Sequence, residues 1–190
     1  MAASDVAICN SALLRIGAAA ITALANNTVE GIACNSQYTK VKNDLLRAHP
    51  WKFAKVRATL TVDVTPPDWG WDFRYALPAA CLRVVEMEGQ NASEYEWTVE
   101  GRYIFNNVGG NLGICYISSS TAETAFDACF DEALAAELAY VLSFSLVQSL
   151  SFRKELKDEA EKKLRLARSY NGQEGAGDRV YSDSWFNSRA

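Results

Sequence analysis

Apolar residues along this chain change period twice, from about 3.6 to about 2 and back again. Ser4 offers an N-cap, and Val6, Cys9, Leu13 and Ile16 follow at spacings of three and four, an amphipathic helix that Gly17 ends. Asn26-Asn27-Thr28 is a polar cluster suited to a turn and to capping the next helix, expected over residues 29–49. Its stripe is regular: Cys34, Tyr38, Val41, Leu45 and Ala48 share one side, with Lys40, Lys42, Asn43 and Arg47 elsewhere. Pro50 has no amide hydrogen and biases His49 away from helical geometry, so the helix stops there. Trp51 and Phe53 then place two large rings where they can pin the start of a sheet against the helices.

From Phe53 the alternation is that of a strand, with Val56, Ala58, Leu60 and Val62 on one side and Lys55, Arg57, Thr59 and Thr61 on the other. Pro66-Pro67-Asp68 breaks it, and the aromatic-rich residues 69–75 follow. Residues 82–87 read as a largely buried strand, and residues 96–99, 102–105 and 113–118 complete an antiparallel set. Glu100-Gly101 is the expected two-residue hairpin turn, and residues 106–113 form a looser glycine-rich connection. Past Thr121 the helical period returns. Phe130, Leu134, Leu138, Val141 and Ser145 make one face of a helix, Ala135, Ala139, Leu142 and Leu146 much of the next, the pattern of a bundle centre. After a break at residues 149–151, Phe152, Leu156, Ala160, Leu164 and Ala167 form a narrow stripe. The charges opposite it, Glu159 with Lys163, Asp158 with Lys162 and Glu161 with Arg165, stand at i,i+4.

The fold expected is therefore α+β. A bundle of about four helices, from residues 1–50 and 122–171, receives an inserted antiparallel β-sheet of about five strands, residues 51–121, between its second and third helices. Residues 172–190 form an extended C-terminal tail, linker-like at first, then carrying Val180, Tyr181, Trp185 and Phe186. Those aromatics need a surface to cover them, either the chain's own bundle or a partner.

Composition narrows the function. Against 23 acidic residues stand 19 basic ones, for a net charge of -4 and no basic run, which argues against a protein whose main task is to grip phosphates. Five cysteines, widely spaced and without a CxxC pair, read as free and mostly buried thiols in a protein made in a reducing cytoplasm. The longest apolar stretch, residues 133–150, is interrupted by Glu137 and Gln148 and makes a poor membrane span.

Sites of bond chemistry are hard to assemble from these residues. His49 is the sole histidine, which removes multi-histidine metal sites, and neither a metal nor a cofactor is expected. A Cys34 and His49 couple is separated by about 22 Å along one helix. The carboxylates Glu86, Glu88, Glu94, Glu96 and Glu100, expected on adjacent strands, suggest a glycosidase-like pair, although their mostly even spacing is also what a solvated sheet face produces. Trp69, Trp71, Phe73 and Tyr75 resemble a stacking platform for single-stranded nucleic acid, but only Arg74 interleaves them. Lys162, Lys163, Arg165 and Arg168 lie among as many carboxylates.

Three runs, RAHPWKFAKVRATL, WDFRYALPAACLRVVEM and EWTVEGRYIF, carry a family likeness. In that order they resemble the tail tubular protein A family, the adaptor of the head-to-tail connector in short-tailed bacteriophages, over roughly residues 5 to 170. The resemblance implies a structural virion protein without enzymatic activity. Its copies, about twelve, would ring the underside of the portal protein, join the tail nozzle protein distally, and line the channel through which genomic DNA passes without sequence-specific contacts. It further implies that the helical part and C-terminal segment meet the portal or a neighbouring subunit, so Tyr181, Trp185 and Phe186, with Lys162, Arg165 and Arg168, are the interface candidates. His49, Pro50 and Trp51 are the structural junction. A cell-wall-degrading hydrolase using a Glu pair on the β region is the alternative, and a monomeric nucleic-acid-binding module a third reading.

Overall fold

The computed structural model describes residues 4–88, 96–147 and 149–174. Four helices, α1 (Asp5–Arg15), α2 (Val29–Ala48), α3 (Ala128–Leu146) and α4 (Leu150–Gln173), account for both ends of this span. Six strands lie between α2 and α3: β1 (Lys55–Leu60), β2 (Phe73–Ala76), β3 (Cys81–Met87), β4 (Trp97–Glu100), β5 (Tyr103–Asn106) and β6 (Leu112–Ser118). The α+β class and the insertion of the strands between the second and third helices follow the periodicity of the sequence.

The helix ends are set by local chemistry. Ser4, Thr28, Asp127 and Ser149 each accept an amide hydrogen of the following first turn through the side chain. α1 closes in a Schellman motif: Gly17 at φ +71 lets its own N–H reach the Leu14 carbonyl while Ala18 N–H reaches that of Leu13. Gly31 has a steric role, since a Cβ there would stand 2.4 Å from the Asn26 carbonyl oxygen. The inward stripe of α2 is Cys34, Tyr38, Val41, Leu45 and Leu46; Ala48, expected on that stripe, is exposed because the chain turns away at His49.

Two hydrophobic cores share one sheet. The first gathers Cys9 and Leu13 of α1, Tyr38 and Leu46 of α2, Phe130 and Leu138 of α3 and Leu156 of α4. The second lies between two small antiparallel sheets, ordered β1-β6-β3 and β2-β5-β4, with Leu60, Met87, Ile114 and Tyr116 from the first facing Tyr75 and Ile104 from the second. β6 is central because both its faces are apolar: Ile114 and Tyr116 join the sandwich core while Ile117 joins the helical one. β3 serves both layers by a different device. Leu82 and Val85 are extra residues at two register irregularities against β6, and both pack on the helical core, while Cys81, Val84 and Met87 turn to the sandwich.

The single sheet of about five strands is thus corrected to two sheets of three. β2, β4 and β5 are only four residues each, and Pro66-Pro67 parts β2 from β1, so those strands assemble on their own. The hairpin loop is also shifted by one residue: Glu100 pairs with Tyr103, leaving Gly101-Arg102 as the turn, with Gly101 at φ +58. Val62 lies beyond β1. In α4 the expected i,i+4 pairs give way to contacts between helices. Glu159 bonds Arg15 of α1, and Lys163 reaches Glu132 of α3 at 3.2 Å. Arg15 also meets Glu132 at 2.7 Å, so one small network ties three helices. Among the described residues, Lys157 with Glu161, at 3.8 Å, is the ion pair formed along α4.

Candidate functional site

His49, Pro50 and Trp51 stand where α2 ends and the chain turns toward the sheets. His49 is the C-cap of α2, in extended geometry, and Trp51 is 1% exposed. The Trp51 indole N–H donates to the Leu45 carbonyl at 2.9 Å, holding the ring against the helix it has just left. Its ring meets Phe130 edge-on at 4.9 Å, His49 at 4.7 Å and Phe53 in a stacked pair at 5.8 Å. Phe53 in turn touches Phe126 at 5.5 Å. The chain therefore leaves the bundle for the sheets and returns to it at one aromatic cluster.

Asn171 completes this joint. It is the last residue of the span expected for the bundle, and it is buried in the last turns of α4, where it extends the stripe of Leu156, Ala160 and Ala167. Its Oδ1 accepts the Lys52 amide at 2.9 Å, and its Nδ2 lies 2.9 Å from His49 Nε2. Burial, with Arg168 and Arg83 nearby, holds the His49 imidazole below its ordinary pKa, so the neutral ring accepts from the Asn171 amide.

Of the interface candidates, Lys162 and Arg165 are exposed on α4 and Arg168 is half-buried; Tyr181, Trp185 and Phe186 lie outside the described residues. A shallow depression on α4 is lined by Glu161, Leu164, Arg165 and Arg168, with Leu166 and Tyr170 about half exposed on the same helix. A second surface was not anticipated. Val29 is 68% and Ile32 57% exposed at the start of α2, and Phe144 is 61% exposed near the end of α3. Together with Ala33 and Val141 they line an open groove of about 530 Å³. The signal was present in residues 29, 32 and 33, which fall off the stripe of α2. It was also present in Phe144, which lies outside both apolar faces expected for α3.

The carboxylates separate. Glu86 is on β3, beside Lys55 at 3.2 Å and Arg57 at 4.0 Å. Glu100 ends β4 in the other sheet and Glu96 stands just before that strand, so the expectation of adjacent strands fails; Glu94 lies outside the described residues. Glu86 and Glu88 border a shallow cavity of about 290 Å³ over β1, β6 and β3, shared with Arg57, Thr59 and Cys115. Gly113 makes room there for the Glu88 side chain, which a Cβ would strike.

Cys34 meets Cys9 of α1 rather than His49; the hydrogen bond between the two thiols, with burial, pushes Cys9 far above the ordinary thiol range. All five cysteines are free, and Cys129 alone is only partly buried. Among the described residues no cluster of His, Cys, Asp and Glu could hold a metal ion, and no helix is long and apolar enough to cross a membrane. The aromatic run also divides: Trp69 is 86% exposed, whereas Tyr75 is buried and donates its hydroxyl hydrogen toward the Val108 and Gly110 carbonyls at 2.9 and 3.1 Å.

Compared with protein-family models and with curated proteins, the chain shows no significant match.

Proposed function

We propose that the protein is a structural subunit of a bacteriophage virion, an adaptor of the tail tubular protein A type. Copies of it would form a ring between portal protein and tail nozzle protein, around the channel that genomic DNA traverses. One observation carries this reading. The run with the family likeness, His49-Pro50-Trp51 and the residues after it, is the joint at which both halves of the bundle and the inserted sheets are locked together. A subunit held between two other rings must pass force through itself without swivelling, and a buried aromatic joint bonded to both helical halves is suited to that.

Charge supports the same reading. A channel wall along which DNA slides should not hold phosphates, and a chain with a net charge of -4 has no excess of cations for it. The outer face of α4, with Lys162, Arg165, Arg168 and Tyr170, and the C-terminal Tyr181, Trp185 and Phe186 are the surfaces assigned to the portal or to a neighbouring copy. The protein would be made in the host cytoplasm and reside at the head-to-tail interface of the virion.

The experiment is negative-stain microscopy of the purified chain, alone and mixed with the portal protein of the same phage. The expected result is an added ring beneath the portal, weakened when Arg165 and Arg168 are both changed to Glu. A chain that stays solitary in the presence of its portal overturns the proposal. So does hydrolysis of cell-wall glycan that is abolished by Glu86→Gln or Glu88→Gln.

A further inference from the structure

The groove at the start of α2 is the largest apolar opening described above, and every residue lining it is uncharged. Its occupant is suggested by where the chain goes next. α4 ends at Gln173, close to the C-terminal end of α2, because Asn171 two residues earlier bonds His49 and Lys52. The groove centres on Ala33, sixteen residues back along α2 from His49, or about 24 Å at 1.5 Å per residue. Trp185 stands eleven residues beyond Glu174, a reach of up to about 36 Å for extended chain. The segment is therefore long enough to bring Trp185 and Phe186 to the groove of its own molecule, with length to spare.

Composition agrees. Residues 175–190 place Val180, Tyr181, Trp185 and Phe186 among Gly, Ser and Asn. Their charges, Asp178 and Asp183 against Arg179 and Arg189, cancel, so nothing in the segment opposes an uncharged apolar groove. A tether that spans the distance gives an effective concentration in the millimolar range, so at micromolar protein a chain's own segment outcompetes that of a second copy. We propose that the α2–α3 groove is the docking site of the chain's own C-terminal segment, with Trp185 and Phe186 laid against Val29, Ile32 and Phe144. The free chain then keeps its apolar tail covered until a partner draws it away. This inference concerns the free chain and does not depend on the adaptor reading.

The test is disulfide capture in the full-length chain. Cys129→Ser removes the partly buried native thiol; Ser36→Cys at the groove is then combined with Ser184→Cys beside Trp185. Asn35→Cys with Ser184→Cys is the control, because Asn35 is exposed at the same height on α2 but outside the groove. Under diamide oxidation the groove pair should close within one chain, several-fold faster than the control, at a rate unchanged by dilution. Adding Ile32→Asp, at a surface position where folding can be checked by circular dichroism, should lower the rate to that of the control. Equal rates for the two pairs overturn the proposal. Cross-links between chains, or a rate that rises with protein concentration, would overturn it in favour of a second copy in the groove. Ring formation on the portal is read in the separate microscopy experiment, so the two proposals fail independently.

Discussion

Trp51→Ala removes the centre of the joint, and the structure sets its cost. An indole buries on the order of 200 Å². At about 25 cal/mol per Å² this is about 5 kcal/mol, or about 3 to 4 kcal/mol once compactness of the unfolded chain is allowed for. The range measured for buried aromatic truncations, about 3 to 5 kcal/mol, is the same. The ring is 1% exposed and wedged among Phe130, Phe53 and His49, so the surroundings collapse little into the space. Trp51→Phe separates the terms. It keeps most of the apolar surface but loses the bond from the indole nitrogen to the Leu45 carbonyl, and is expected to cost about 1 to 2 kcal/mol. Urea unfolding followed by circular dichroism reads both. A loss below about 1 kcal/mol for alanine would mean the joint does not bear on folding. Equal losses for the two variants would mean that the hydrogen bond, rather than packing, holds it.

Three further substitutions probe other parts of the argument. Asn171→Ala strands the Lys52 amide, and a loss of about 1 to 3 kcal/mol in urea unfolding is expected; a neutral result would detach α4 from the joint. Gly31→Ala gains about 1 kcal/mol of helix propensity but drives a methyl into the Asn26 carbonyl, so a net loss of melting temperature is expected and a gain would refute the contact. Asp131, its carboxyl raised to about 6 by burial and by Asp127, Glu132 and Glu123, favours the folded state below the ordinary carboxylate range and loses that contribution as pH rises through about 6. Asp131→Asn should therefore gain on the wild type by about 1 kcal/mol between pH 4 and pH 7.5 after solvent screening, read as the difference between their urea midpoints at each pH. The difference is needed because His49, held below its ordinary pKa, acts oppositely: its contribution is present above pH 6.5 and lost on acidification.

Much of this architecture was legible because local signals agreed with the global fold. Ser4, Thr28 and Pro50 mark helix limits by chemistry that needs no tertiary context, and each acts where the sequence places it. β3 was legible as a strand but not as layered, and it is less buried than expected, with only Cys81 and Met87 fully covered: CLRVVEM has no clean alternation, and only the two irregularities against β6 show why Leu82 and Val85 turn one way and Cys81, Val84 and Met87 the other. The role of Asn171 was missed because it borders a linker-like run, and no propensity reveals that its side chain has an amide and an imidazole to bond 119 and 122 residues away. The groove was missed for a related reason. Periodicity identifies which residues of a helix are apolar, but which of them the assembled bundle leaves uncovered is a property of the tertiary packing.

How firmly the sheets are fixed to the helices depends on more than the two connections. If residues 52–54 and 119–127 alone joined them, the sandwich could turn about that axis at little cost. Ile117, Leu82, Val85 and Phe53, however, belong to the sheet side of the chain and pack in the helical core. Swivelling would return them to water, at about 1.5 to 3 kcal/mol for each one fully exposed. Arg47 of α2 adds a bond to the Leu82 carbonyl, on the edge strand farthest from β1. The contacts therefore fall on β3, on β6 and on the segment that leads into β1, so a rotation that relieves one set strains another. Bundle and sandwich are thus joined by side-chain packing as well as by the chain itself, and Asn171 ties α4 to the joint through the Lys52 amide.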